Sequence, residues 1–109
     1  MKLSHAKRSL LVLAVLAAAA LASGCGFVNN LRAKNQLNEG ARAYKDRRYT
    51  EAQEHFSRAL ELSPEQKNAR FFIARSIHAQ YKPGVEAEPN VAKAREAIKA
   101  YQDVLAADP

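Results

Sequence analysis

Gly40-Ala41-Arg42-Ala43-Tyr44-Lys45-Asp46-Arg47-Arg48-Tyr49-Thr50-Glu51-Ala52-Gln53-Glu54-His55-Phe56-Ser57-Arg58-Ala59-Leu60-Glu61-Leu62-Ser63-Pro64 is the stretch that decides how the chain folds. Ala52, Phe56, Ala59 and Leu60 recur at steps of four, three and one, which is one face of an amphipathic helix. Leu37, Ala41 and Tyr44 precede them at helical spacing, and the polar turn Asp46-Arg47-Arg48 lies between the two sets. Two short helices joined by a tight turn form an antiparallel pair, and Gly40, Ala52 and Ala59 let their backbones come close. The predicted first helix runs from about Arg32 to Lys45, with Asn29 or Asn30 as its cap. The second ends near Leu62, capped by Thr50 with Gln53 completing a capping box.

Gly40, Ala52, Phe56, Ala59 and Pro64, supported by Tyr49, Glu51, Leu60 and Leu62, stand at the spacing of the tetratricopeptide repeat, and the stretch resembles that family. Gln36 stands where the family usually has a large aromatic, and Glu39 where it usually has Leu. A second set, Ala97, Tyr101, Val104 and Pro109, repeats Ala52, Phe56, Ala59 and Pro64 at a distance of 45 residues, against a family period of about 34. Ala74 and Phe71 correspond to Gly40 and Leu37. The extra residues fit a lengthened turn near 81–90, where Lys82-Pro83-Gly84-Val85 carries type II turn residues. Ser63 as cap with Pro64 at the first helical position opens a third helix, through Phe72, Ile73, Ile77 and Tyr81. Pro89 or Asn90 opens a fourth, carrying Val91, Ala94, Ala97, Ile98, Tyr101, Val104 and Leu105. The expected fold class is all-α: antiparallel pairs stacked as a short solenoid, repeat one about 33–66 and repeat two about 67–109.

The N-terminal end is organised differently. Met1 to Arg8 is basic, Leu10 to Ala22 is an unbroken apolar run, and Ser23-Gly24-Cys25 follows. A basic start, a short apolar core and small residues before a cut site are the grammar of a secretory signal. Leu21-Ala22-Ser23-Gly24-Cys25 resembles the bacterial lipobox, with Ala22 where the pattern prefers Leu. That resemblance implies a removed peptide over 1–24, a diacylglycerol on Cys25 and a lipidated tether over 25–31. It places the protein in the bacterial cell envelope, and Gly26, which is not the Asp linked to inner-membrane retention, favours the outer membrane facing the periplasm. Two other readings stay open here: cleavage by ordinary signal peptidase, and a retained anchor, since Ser9 to Val28 carries no charge.

Composition narrows the function classes. The formal charge is +6, but removing residues 1–24 takes away Lys2, Lys7 and Arg8 and leaves +3, so the high pI is partly a property of the signal. No clustered basic run with interleaved aromatics is present, and no nucleic acid is expected as a partner. One cysteine excludes an internal disulfide framework. The histidines His5, His55 and His78 have no metal-ligand spacing, no glycine loop cradles a phosphate, and no serine sits in a nucleophile elbow. His55 is expected to be solvated. No catalytic residue, cofactor or metal is expected, and the chain is not read as an enzyme.

The leading reading is a membrane-anchored scaffold that binds other proteins or peptides. In the repeat family the first helix of each pair lines the concave surface. That carries Lys34, Leu37, Ala41, Tyr44 and Lys45, with Asn68, Phe71, Arg75, His78 and Ala79, onto a protein-binding face containing aromatics, cations and no acid. Leu37 and Ala41 occupy the places where related repeats clamp a C-terminal carboxylate, so that ligand is not expected. The alternatives are a self-associating envelope component, joined through an uncapped C-terminal helix, or an N-terminal fragment of a longer repeat protein.

Overall fold

The computed structural model describes residues 4–108, apart from the side chains of 19–23. Leu21, Ala22 and Ser23 of the lipobox-like ending, and Pro109 of the second repeat set, therefore lie outside the described residues. The described chain is all-helical: α1 (His5–Lys45), α2 (Tyr49–Leu62), α3 (Ala69–Gln80) and α4 (Glu88–Ala107). Each helix packs on the next in the chain. The bonds between them run in opposite directions along neighbouring helices. His55 meets Gln36 and Ser63 meets Asn30, so α2 returns along α1. Thr50 and Gln53, early in α2, meet Gln80 at the end of α3.

The first helix is the main departure from the sequence reading. It does not begin near Arg32. It runs unbroken for 41 residues, about 60 Å at 1.5 Å per residue, through the segment expected to be a tether. No proline interrupts it. Asn30 does not cap a helix; its amide reaches Ser63. Residues 30–45 pack on α2, and the earlier part projects, which stretches the molecule to 79 Å along its long axis. On the projecting part Leu10, Leu11, Val12, Leu13, Val15 and Leu16 are all exposed. Four consecutive residues cover every side of a helix, so this segment is apolar all round, a pattern found in helices that are buried or in membranes. Among the described residues no helix is long and apolar enough to cross a membrane.

The turn after α1 is a Schellman motif. The Arg47 N–H donates to Tyr44 O at 3.0 Å and the Arg48 N–H to Ala43 O at 2.8 Å. Arg47 takes φ 62°, where glycine is usual, at a cost of roughly 1 kcal/mol for an L-residue. This tight reversal starts α2 at Tyr49, so Thr50 is inside the helix and does not cap it; its hydroxyl donates to Gln80 Oε1 instead.

Ser63 likewise does not cap α3, which begins only at Ala69. Ser63 is buried, with its Oγ 2.8 Å from Asn30 Oδ1 and 2.6 Å from Glu65 Oε2. A hydroxyl has one proton for two such contacts. With the Asn30 amide turned so that its nitrogen donates, the Ser63 proton goes to Glu65, whose carboxyl it holds below the ordinary value. The third turn matches its reading. Gly84 adopts φ 80°, Val85 N–H donates to Lys82 O, and the Asn90 side chain braces the loop through Lys82 N, Lys82 O and Val85 O.

The core is made mostly of alanines. Ala33, Ala43, Ala52, Ala59, Ala69 and Ala74 are essentially inaccessible, with Phe56 and Ile77 filling between them. Ala43, Ala52 and Phe56 form one cluster, against which Leu37, Tyr44, Phe72 and Ile73 pack. Ala41, expected on the buried stripe of α1, is exposed, and its neighbour Ala43 takes the core position. Gly40 lies directly against α2: a Cβ there would lie 2.6 Å from the Phe56 ring.

Three substitutions test this packing by thermal or urea unfolding. Phe56→Ala removes a buried ring and should cost about 3–5 kcal/mol. Ala52→Leu overpacks the α1–α2 contact and should cost about 1–3 kcal/mol. Glu54→Ala, on the exposed side of α2, should change stability by less than about 0.5 kcal/mol. Equal losses in all three would contradict a core centred on Phe56.

Candidate functional site: an aromatic cleft across α1, α3 and α4

Tyr44, Phe71 and Arg75 stand at the centre of the site because two clefts share them. The first, about 290 Å³, is lined by Ala41, Tyr44, Phe56, Phe71, Phe72 and Arg75. The second, about 470 Å³, adds His78, Ala79 and Tyr101 to the shared three. The two form a continuous depression across α1, α3 and α4, with Phe56 of α2 in its floor.

Local sequence explains the placement. Phe71, Arg75 and His78 recur at steps of four and three, so α3 presents them on one side while Ala74 and Ile77 face the core. Tyr44 is one residue from the end of α1, half-buried against Tyr49 with ring centroids 5.1 Å apart. The Arg75 guanidinium lies between two rings, its Cζ 5.9 Å from both the Tyr44 and the Phe71 centroids, and its Nη2 donates to Tyr44 Oη at 3.4 Å. The guanidinium is charged at any physiological pH, and the Tyr44 hydroxyl shifts its pKa upward. Phe71 keeps 40% of its surface exposed. His78 Nδ1 is 3.1 Å from Tyr101 Oη, and the two rings meet edge-on. No carboxylate lines either cleft.

Of the residues expected on this face, Ala41, Tyr44, Phe71, Arg75, His78 and Ala79 come together. Four do not. Leu37 packs on the core, Lys34 and Lys45 are exposed outside the clefts, and Asn68 precedes α3 at its N-terminus. Phe56 and Phe72 belong to the core as expected and also line the site, and Tyr101, half-buried on α4, lines it too. The repeat correspondence of Phe56 and Tyr101 held the signal for Tyr101: each supplies the aromatic at the base of its own cleft. His55 is also corrected. Its side chain is only 17% exposed, and its Nδ1 is 2.7 Å from Gln36 Oε1, across the α1–α2 pair. Gln36, which breaks the family pattern, is thus a partner for His55.

Behind the clefts a polar chain ties three helices. The Thr50 hydroxyl donates to Gln80, the Gln80 amide to Gln53 Oε1 at 2.7 Å, and the Gln53 amide reaches Glu96 of α4. Among the described residues no group of three or more His, Cys, Asp or Glu side chains could hold a metal ion. Cys25 is exposed on α1 with its thiol unpaired. Comparisons with protein-family models, characterised proteins and solved structures find no match to this chain.

Proposed function

We propose that the protein is a lipid-anchored helical-repeat adaptor of the bacterial envelope that captures a segment of another protein in the cleft across α1, α3 and α4. The single observation that carries this reading is the acid-free aromatic depression around Arg75. A helical or extended segment with an apolar anchor and an acidic residue or terminus fits it: the anchor stacks on Phe71 and Tyr101, and the carboxylate meets Arg75. Binding is reversible and needs no covalent step. The tetratricopeptide-like reading is supported by the Gly40–Phe56 contact and by the cleft lying on the side of α1 and α3. Anchoring through Cys25 is supported by the apolar helix before it, which water alone does not favour. A second reading, self-association through α4, is favoured by Ile98 and Leu105, both more than half exposed.

Arg75→Glu compared with Arg58→Glu tests the cleft, because Arg58 is exposed on α2 outside it. Crosslinked capture of partner from the native membrane should fall about tenfold with Arg75→Glu, a loss of about 1.4 kcal/mol, and should hold with Arg58→Glu. Equal losses with unchanged helicity would show a general charge effect and remove the cleft from the account.

Cys25→Ser tests the anchor. It should abolish lipid labelling and leave precursor of full length. Normal processing and release of soluble protein would show that ordinary signal peptidase acts here.

A further inference from the structure

Phe27, Val28 and Leu31 occupy the first two turns after Cys25 on an unbroken helix. Their relative exposures are 64%, 42% and 51%. On a helix of 3.6 residues per turn they fall on one side, and Ala33, Gly40 and Ala43, which pack against α2, fall on the opposite side. The triad is therefore turned away from the rest of the protein, and no other element of the described structure covers it.

We infer that this triad is a membrane-inserted face of α1, seated in the lipid interface beside Cys25. Three features of the chain select a bilayer as its occupant. First, in the precursor or with a retained helix the triad continues the apolar surface of residues 10–16, and once 1–24 is removed the diacylglycerol on Cys25 takes the place of that surface beside it. Second, Leu31 is six residues from Cys25, about 9 Å along the axis, which compares with the roughly 5–8 Å depth of each polar layer of a bilayer. A tilted α1 keeps all three side chains within that layer, whereas an upright one would carry Leu31 to its outer edge. Third, the charges fit anionic headgroups. Along α1 the first acidic residue is Glu39, while Arg32 and Lys34 follow the triad directly and are exposed; the carboxylate at this level is Glu65, in the α2–α3 turn, which is bonded to Ser63. An apolar face followed at once by cations is the arrangement that lies in a membrane surface.

The consequence for the site is positional. One lipid-modified residue on a flexible tether leaves a domain free to tumble, whereas a helix inserted at its first turns does not. Asn30 and Ser63 fix the α2–α3 turn at the level of the interface. Tyr44 lies 19 residues beyond Cys25, about 28 Å along α1. The cleft is then held at a set height above the bilayer, facing partners at that height. The inserted face adds to the attachment that the diacylglycerol on Cys25 provides, and it fixes an orientation that acyl chains alone do not.

This inference rests on the membrane attachment proposed above, through the lipid or through a retained apolar helix. The chain contains no tryptophan, so a single introduced one reports its own surroundings. Leu31→Trp and Asn38→Trp place it on the same side of α1, two turns apart, and both positions are exposed. Each variant, expressed as the full chain, is purified from membranes and reconstituted in phosphatidylethanolamine–phosphatidylglycerol vesicles with or without brominated acyl chains. Its lipid labelling is measured in parallel. The emission of the Leu31→Trp variant should shift to the blue and fall by roughly half or more in brominated vesicles, as expected for an interfacial face about one to two turns deep. The Asn38→Trp variant should keep its emission. An unquenched indole in lipid-labelled Leu31→Trp protein overturns the inserted face and leaves the anchor standing, and this is also the result if another protein covers the triad. An unquenched indole in unlabelled Leu31→Trp protein that fractionates with the soluble pool overturns both.

Discussion

The contact between Gly40 and the ring of Phe56 is the constraint on which the fold and the site both depend. A side-chain carbon at position 40 would sit within 3 Å of three ring atoms, so only glycine leaves room for α2 at this distance. The ring cannot retreat easily, because Phe72 packs on it with centroids 5.2 Å apart. Phe72 leads in turn to Phe71, and Phe71 to Tyr101, so one aromatic series runs from α2 through α3 to α4. The buried alanines allow the helices to approach, and this series fills the space between them. The same rings form the floor and walls of the cleft. A protein of this size with alanine in most core positions has little apolar volume to lose, and its cleft is lined by residues that also hold it together.

The second organising feature is the unbroken α1. It joins an apolar, unsupported segment to the helix that pairs with α2, with no flexible joint at Cys25. A rod of this kind transmits orientation. Whatever fixes the first turns after Cys25 also fixes the direction in which Tyr44, Arg75 and His78 face. A flexible tether would let the two move independently; the continuous helix couples them.

Much of the architecture was legible in the sequence. The Ala52–Phe56–Ala59 spacing marked the buried face of α2, and Pro83-Gly84 marked the turn between α3 and α4, because both signals are local. What was not legible involved competition between distant groups. Thr50, Ser63 and Asn30 all have strong capping chemistry, yet Thr50 spends its side chain on Gln80 of α3, Asn30 and Ser63 meet between α1 and the α2–α3 turn, and Ser63 also bonds Glu65 within that turn. Arg47 adopts a glycine conformation without being glycine, because closing the Schellman turn outweighs about 1 kcal/mol of backbone strain. Ala41 and Ala43 could not be told apart by residue type; only the rotation of α1 puts the second in the core. In the site, Tyr44, Phe71, Arg75 and His78 followed from helical spacing, while Lys34 and Lys45 were drawn in by position alone and lie one face away. Tyr101 stands at helical spacing with Ala97 and Val104, which points to the core; half-buried on α4, it also lines the cleft.

The most direct test is a double-mutant cycle between positions 40 and 56, read by urea unfolding of the full chain. Gly40→Ala should raise helix propensity by about 1 kcal/mol, but against the Phe56 ring the clash should outweigh this and lower stability. In a Phe56→Leu background the ring is gone, and the same Gly40→Ala change should be neutral or stabilising, a coupling within the range of about 0.5–3 kcal/mol seen for residues in contact. If Gly40→Ala stabilises the protein equally in both backgrounds, the two helices do not approach at Gly40, and an account of fold and cleft built on that contact is wrong.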